Sequence, residues 1–342
     1  MVSTQATFST YDSISDAVIG GPGLVAVGLY DDGSAPGRAV IWVSRDGIRW
    51  ERVALPDAAE TAVESVAVGP AGLVAVGSSA EEGRLLPAVW TSADGLRWQR
   101  VSDDDLDRGQ MSAVAAHLVG YVAVGFEPDT GVGLSWTSVD GRDWEPAEQV
   151  PSFGEQPSVN DMIAPWEGFA AFGSGPPGER AQMWTSIDGR DWQRTDPFPS
   201  RPRTAVNALA FSPTRQIAVG ARYGGQRAGG VVWTSQDGVT WELVPEQADL
   251  LDSEMIGLVA VGSRFVAVGD LDRGAGHGGF HAAVWSSTDG TSWRREPDDE
   301  SFALARMAHV VHIGQRLVVL GEVAADPNGE EVRPAVWIGV PR

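Results

Sequence analysis

The sequence predicts an all-β fold assembled from seven repeats of one four-stranded unit. Three observations carry that expectation: tryptophans paired at a fixed spacing, a regular repeat length, and short apolar runs closed by glycine. Twelve of the 14 tryptophans form six pairs eight residues apart, namely Trp42/Trp50, Trp90/Trp98, Trp136/Trp144, Trp184/Trp192, Trp233/Trp241 and Trp285/Trp293. Trp337 is the first member of a seventh pair, and Trp166 stands outside the pattern. Successive first members lie 48, 46, 48, 49, 52 and 52 residues apart. A strand-rich repeat of that length is a propeller blade rather than a helical solenoid unit.

The second repeat displays the strands. It reads Val63–Gly69, a Pro-Ala-Gly turn, Leu73–Gly77, a loop, Ala88–Ser92, an Ala-Asp-Gly turn, and Arg97–Val101. Leu73-Val74-Ala75-Val76 is apolar throughout, as a strand covered on both faces must be. It recurs as Leu24–Val27, Val122–Val124, Phe265–Val268 and Leu317–Leu320. No stretch shows useful helical periodicity. Residues 1–342 are therefore read as a single seven-bladed propeller, with blades at 14–53, 63–101, 111–147, 159–195, 206–244, 255–296 and 307–341. The last repeat lacks a fourth strand after Trp337. Residues 2–10 are free to supply it, with Phe8 near the place of the second tryptophan, so that the ring closes without an open pairing edge.

Between the tryptophans of each pair runs Ser-x-Asp-Gly-x-x-Trp, intact six times, from Ser44–Trp50 to Ser287–Trp293. The carboxylates of Asp46, Asp94, Asp140, Asp188, Asp237 and Asp289 can accept from turn amides, and the glycine supplies positive φ. This motif resembles the Asp-box, or bacterial-neuraminidase repeat, of sialidases, xyloglucan hydrolases and photosystem II assembly propellers. It is one residue shorter than the usual Ser-x-Asp-x-Gly-x-Thr-Trp. The resemblance implies a sialidase-like propeller in which the boxes are structural and lie away from the active face. It implies no particular activity. The Arg-Ile-Pro signature of sialidases is absent, the four tyrosines show no glutamate at a telling spacing, and there is only one propeller where xyloglucan hydrolases use two.

Composition narrows the function. The formal charge is −21, which excludes nucleic acid and anionic membranes as main partners. There is no cysteine and no lysine; all 25 basic residues are arginine. Disulfides, thiolate metal sites and Schiff-base chemistry are thereby removed. No apolar run is long enough to span a membrane, and no signal peptide is visible, so the chain as written is expected to be a cytoplasmic monomer, or secreted if a leader has been removed.

The loops between second and third strands are long and polar, and they share one face with the blade-to-blade loops. Repeats aligned on Gly28, Gly77, Gly125, Gly173, Gly220, Gly269 and Gly321 give two polar columns on the innermost strands. One holds Ser15, Glu64, Ser112, Asn160 and Asn207; the next holds Asp16, Asp161 and His309. His309, Asp16 and Glu64 are the candidates for acid–base work, and His309 with Asp16 for a divalent metal. His277, His281, Arg273, Asp161, Asn160, Asn207, Tyr30 and Tyr223 are the candidates for ligand contact. No cofactor is expected, with a divalent ion as the alternative. The expected function is non-catalytic binding of a polar small molecule or protein on the long-loop face. The alternative is a hydrolase or lyase acting on a carbohydrate-like or polar small substrate at the channel mouth.

Overall fold

The structure is a computed structural model, and it describes residues 2–4, 8–33, 37–145, 148–154, 158–164, 168–174, 181–195, 197–199, 203–223, 229–271, 280–325 and 331–340. Seven antiparallel sheets of four strands follow one another along the chain, the blades of a seven-bladed β-propeller. Apart from three single-turn 3-10 segments, the described residues are strand, turn and loop. No helix among them is long and apolar enough to cross a membrane.

The chain divides into two compact units, residues 11–176 with 183–195, and residues 1–10 with 177–182 and 196–342. In the first, apolar cores fill the spaces between blades one and two, two and three, and three and four. In the second, cores fill the spaces between blades five and six and between six and seven. The first tryptophan of every pair is fully buried in a third strand.

Each innermost strand carries a β-bulge at the same place, for example between Ile14 and Asp16, Val63 and Ser65, and Met307 and His309. The extra residue is Ser15, Glu64, Ser112, Asn160, Asn207, Ile256 or Ala308, so the first polar column of the repeat alignment is the bulge itself. Opposite it stands the aligned glycine. A Cβ on Gly77 would fall 2.0 Å from the main-chain oxygen of Ala62, and the same clash recurs at Gly28, Gly125, Gly220, Gly269 and Gly321. The bulge and the glycine are one device, and it turns the start of each inner strand.

Two expectations need correction. In blade two the second and third strands run as Gly72–Glu81 and Arg84–Ser92, paired through Glu81↔Arg84. The predicted loop is thus an extended hairpin with Glu82 and Gly83 at positive φ in its turn. The closing strand spans Val2–Thr4 and pairs with Val336–Ile338. Ser3 lies opposite Trp337 as Arg100 lies opposite Trp90, so the second-tryptophan place falls two residues before Ser3. Phe8 lies past the strand and does not occupy it.

Candidate functional site

At one end of the blades the box hairpins are held by local side-chain bonds. The serine Oγ accepts the glycine N–H at 2.8–2.9 Å. One aspartate oxygen accepts the two N–H groups after the glycine at 2.7–3.1 Å. The second tryptophan donates its indole N–H to the glycine carbonyl at 2.9–3.2 Å. These backbone donors hold Asp94, Asp140 and Asp188 below the usual carboxylate range and Asp237 down at about 2. In Asp289 burial raises the pKa, and the N–H groups of Ser292 and Thr291 outweigh it.

The first tryptophans do a different job. Trp90, Trp184, Trp233, Trp285 and Trp337 donate to carbonyls of the preceding blade-to-blade loops, those of Pro56, Ser152, Pro199, Asp249 and Ser301. Two loops are also latched by a side chain: Trp144 N–H donates to Asp103 at 2.7 Å, and Trp293 N–H to Gln247 at 2.9 Å. Asp103 is therefore a tether between its loop and the third blade's box.

At the other end, polar side chains meet across blades. In the unit of blades one to four, Asp16 accepts from Ala17 N–H at 2.6 Å, Val66 N–H at 2.9 Å and Ser65 Oγ at 3.0 Å. Ser65 Oγ in turn accepts from Val114 N–H at 3.3 Å. Asp16 thus stitches blade one to blade two and, through Ser65, to blade three. Among the described residues Asp161 accepts only the N–H of Met162, at 2.7 Å. Its carboxyl is pushed up to about 8, first by burial and then by the facing Asp16 carboxylate. Asp161 is half-buried. Glu64 keeps an exposed surface, and partial desolvation raises its carboxyl. Asn160 takes its predicted place at the bulge of blade four.

In the unit of blades five to seven a second cluster forms. Tyr223 follows the second strand of blade five (Gln216–Arg222), and its hydroxyl donates to Glu254 Oε1 at 2.5 Å. Asn207, at the bulge of blade five, donates to the same oxygen at 3.2 Å and to the carbonyl of Met255 at 2.9 Å. Burial first, then Glu254, raises the Tyr223 hydroxyl. On the next strand Asp270 accepts from Arg306 Nε at 2.7 Å, and the Arg306 guanidinium lies over the Phe280 ring, 4.5 Å from its centre. His281 Nε2 is 3.6 Å from Asp298.

Of the predicted ligand contacts, this cluster brings together Asn207 and Tyr223. The tyrosine does have a glutamate partner, contrary to the sequence reading, because Glu254 is 31 residues away in the next blade and no local spacing reveals it. Glu254, Asp270 and Arg306 were missed as site residues. A signal existed in the position just before the apolar residue of each inner strand, which reads Ser13, Ala62, Gln110, Ser158, Ala205, Glu254, Arg306. Its cross-strand partners read Leu29, Ser78, Phe126, Ser174, Ala221, Asp270, Glu322. Only blades six and seven place charges there. Tyr30 sits elsewhere, donating to Asp32 at 3.0 Å with Arg38 stacked 4.6 Å from its ring centre. His309 is half-buried on the inner strand of blade seven, in the other unit from Asp16. His277 and Arg273 lie outside the described residues. Among the described residues no three His, Asp or Glu side chains gather to hold a metal ion.

No protein-family model matches this chain, and no curated protein is similar to it in sequence. Solved structures are similar in fold. YCF48 bound to a D1 peptide is 16% identical, covers 98% of this chain and 94% of its own, and superposes with a TM-score of 0.61. The β-propeller domain of the Trilobed protease from Pyrococcus furiosus is 11% identical over 98% and 96%, with a TM-score of 0.54. The α-L-arabinofuranosidase of Fusarium graminearum in complex with an iminosugar inhibitor is 12% identical over 98% and 97%, with a TM-score of 0.51. At such identities the likeness establishes the fold alone, a seven-bladed β-propeller shared by a peptide binder and a glycosidase.

Proposed function

We propose that this chain is a non-catalytic propeller that binds a polar ligand or protein segment at the long-loop end of blades five to seven. The observation that carries the reading is the cluster of Asn207, Tyr223, Glu254, Asp270 and Arg306. Side chains from three successive blades are bonded to one another there, at the start of inner strands and the end of second strands. Its two carboxylates are engaged as acceptors. Glu254 receives a hydroxyl and an amide, and Asp270 receives a guanidinium. Neither is arranged to lend a proton to a leaving group, which is what a glycosidase or lyase acid must do. Tyrosine, asparagine and arginine around fixed carboxylates make a recognition surface.

One observation favours the second reading, a hydrolase or lyase. Asp161 lies within electrostatic reach of the Asp16 carboxylate and its own carboxyl is driven up, first by burial, as that of a proton donor would be. Two measurements decide between them. A thermal-shift titration with polar small molecules and peptides should find a ligand that raises the melting temperature of the wild type and not that of Glu254→Gln, since a ligand stabilises the state that binds it. Hydrolysis of an aryl glycoside that disappears in Asp161→Asn would instead establish the enzyme.

A further inference from the structure

Glu254 and Arg306 occupy the same register position in neighbouring blades, each one residue before the bulge pair. Each is fixed through one atom only. Glu254 is held through Oε1 by Tyr223 and Asn207, and among the described residues nothing bonds to its Oε2. Arg306 is held through Nε by Asp270 and steadied on its face by Phe280, and neither of its terminal nitrogens has a bonded partner among the described residues. Asp270, the cross-strand partner of Glu254, joins the two, so an open carboxylate oxygen and an open guanidinium fork lie on one strip of surface. Arg306 remains accessible, with 35% of its side chain exposed.

These open valences are of opposite charge, and both side chains are already ordered, which lowers the cost of binding. A simple anion reaching Arg306 meets Glu254, Asp270 and Glu322, the last being the cross-strand partner of Arg306. A simple cation reaching Glu254 leaves the Arg306 fork without an acceptor. A molecule with both an ammonium and a carboxylate satisfies the two together, with a fork-to-carboxylate pair at one end. We propose that Glu254 and Arg306 hold a small dipolar ligand of the α-amino-acid class, its ammonium on Glu254 and its carboxylate on Arg306. The proposal rests on the binding reading above and gives that site its ligand chemistry. The surplus of acidic groups, locally and in the chain as a whole, makes an acidic side chain on the ligand unwelcome.

The test is calorimetric titration of the full chain with L-alanine, N-acetyl-L-alanine, L-alaninamide, L-glutamate and methyl glucoside. L-alanine should bind, and blocking either end should weaken binding at least tenfold, with L-glutamate weaker than L-alanine. Glu254→Gln should lose about the same factor, and so should Arg306→Lys, which keeps the charge and removes the fork. Because Arg306→Lys can disturb Asp270, the double variant Arg306→Met with Asp270→Asn serves as a second probe; it should fold and not bind. If both blocked forms bind as well as L-alanine, or if no probe binds, the dipolar assignment is wrong. If methyl glucoside binds through these residues and L-alanine does not, the ligand class is wrong and the binding reading stands. Turnover of a glycoside would overturn the binding reading itself.

Discussion

The two ends of the blades use the same side chain in opposite ways. At the box end, Asp188 accepts two N–H groups and a serine hydroxyl, and its carboxyl is held down first by the Arg190 N–H. At the bulge end, Asp161 has a single N–H and faces another carboxylate, and its carboxyl is driven up. In the box the serine, the aspartate and the second indole all find partners within seven residues, an arrangement repeated six times. The bulge end is open to the neighbouring blade: the bulge residue Asn207 bonds to Glu254, and Ser65 and Asp16, each one residue past a bulge, bond blade two to blade one. Identical repeats give identical boxes; diverged repeats give individual mouths, and the proposed recognition uses the second.

Glycine sharpens the contrast and gives the largest expected effect. Gly77→Ala drives a methyl to 2.0 Å from a main-chain oxygen, and no side chain can rotate away to relieve it. Its cost should exceed about 3 kcal/mol, more than ordinary overpacking. Gly95→Ala, in the box, meets Pro22 at 3.0 Å and requires φ near +74°, which costs an alanine about 1–2 kcal/mol. Urea melts of the two variants measure the difference. Equal costs would mean that the bulge relaxes and is not the rigid element described here. Next in size is deletion of residues 1–10, which strips the fourth strand from blade seven and bares Val336–Ile338; the melting temperature should fall by several degrees.

These variants also mark what the sequence could disclose. The boxes were legible down to each donor because all their partners lie within seven residues. The seven blades were legible because Trp and Gly recur in register. The bulge was visible only as an alignment column, since a backbone irregularity has no residue signature beyond the glycine opposite. The cluster of Tyr223, Glu254, Asp270 and Arg306 was hidden for another reason. Its members come from three repeats, and the charged column they share is charged in only two blades. Pairing Tyr223 with Glu254 needs the register between blades, which no spacing within a repeat contains.

The pH response separates the two ends next. In the folded protein Asp161 keeps its proton up to about 8, whereas an unfolded aspartate releases it near 3.9. Between those values the folded state binds the extra proton, so this group's favourable contribution is complete below about pH 4 and is lost as pH rises through 8. Asp161→Asn removes the titration. Its melting temperature should match the wild type at pH 4 and exceed it at pH 9, by at least about 1 kcal/mol of stability. A variant less stable than the wild type at pH 9 would show that Asp161 is ionised and paired in the folded protein.

Asp188→Ala has the smallest effect and the opposite sign with pH. The carboxylate is exposed, so solvent replaces part of what the substitution removes, and the loss should be about 1 kcal/mol, or about 2 °C in melting temperature. Its folded pKa lies below the unfolded value, so the contribution is present above about pH 4 and fades as pH falls through the lower, folded value. The gap between variant and wild type should therefore narrow as pH falls below about 4, the reverse of Asp161→Asn. Asp188→Asn keeps an oxygen for Arg190 and Asp191 and removes the charge alone. If it matches Asp188→Ala at pH 7, charge is what the turn amides require; if it matches the wild type, the acceptor is. Either way ligand affinity should be unchanged, since the Asp188 carboxylate bonds to Ser186, Arg190 and Asp191 within its own turn. Loss of binding in Asp188→Ala at unaltered stability would place recognition at the box end and reverse the division of labour between the two ends.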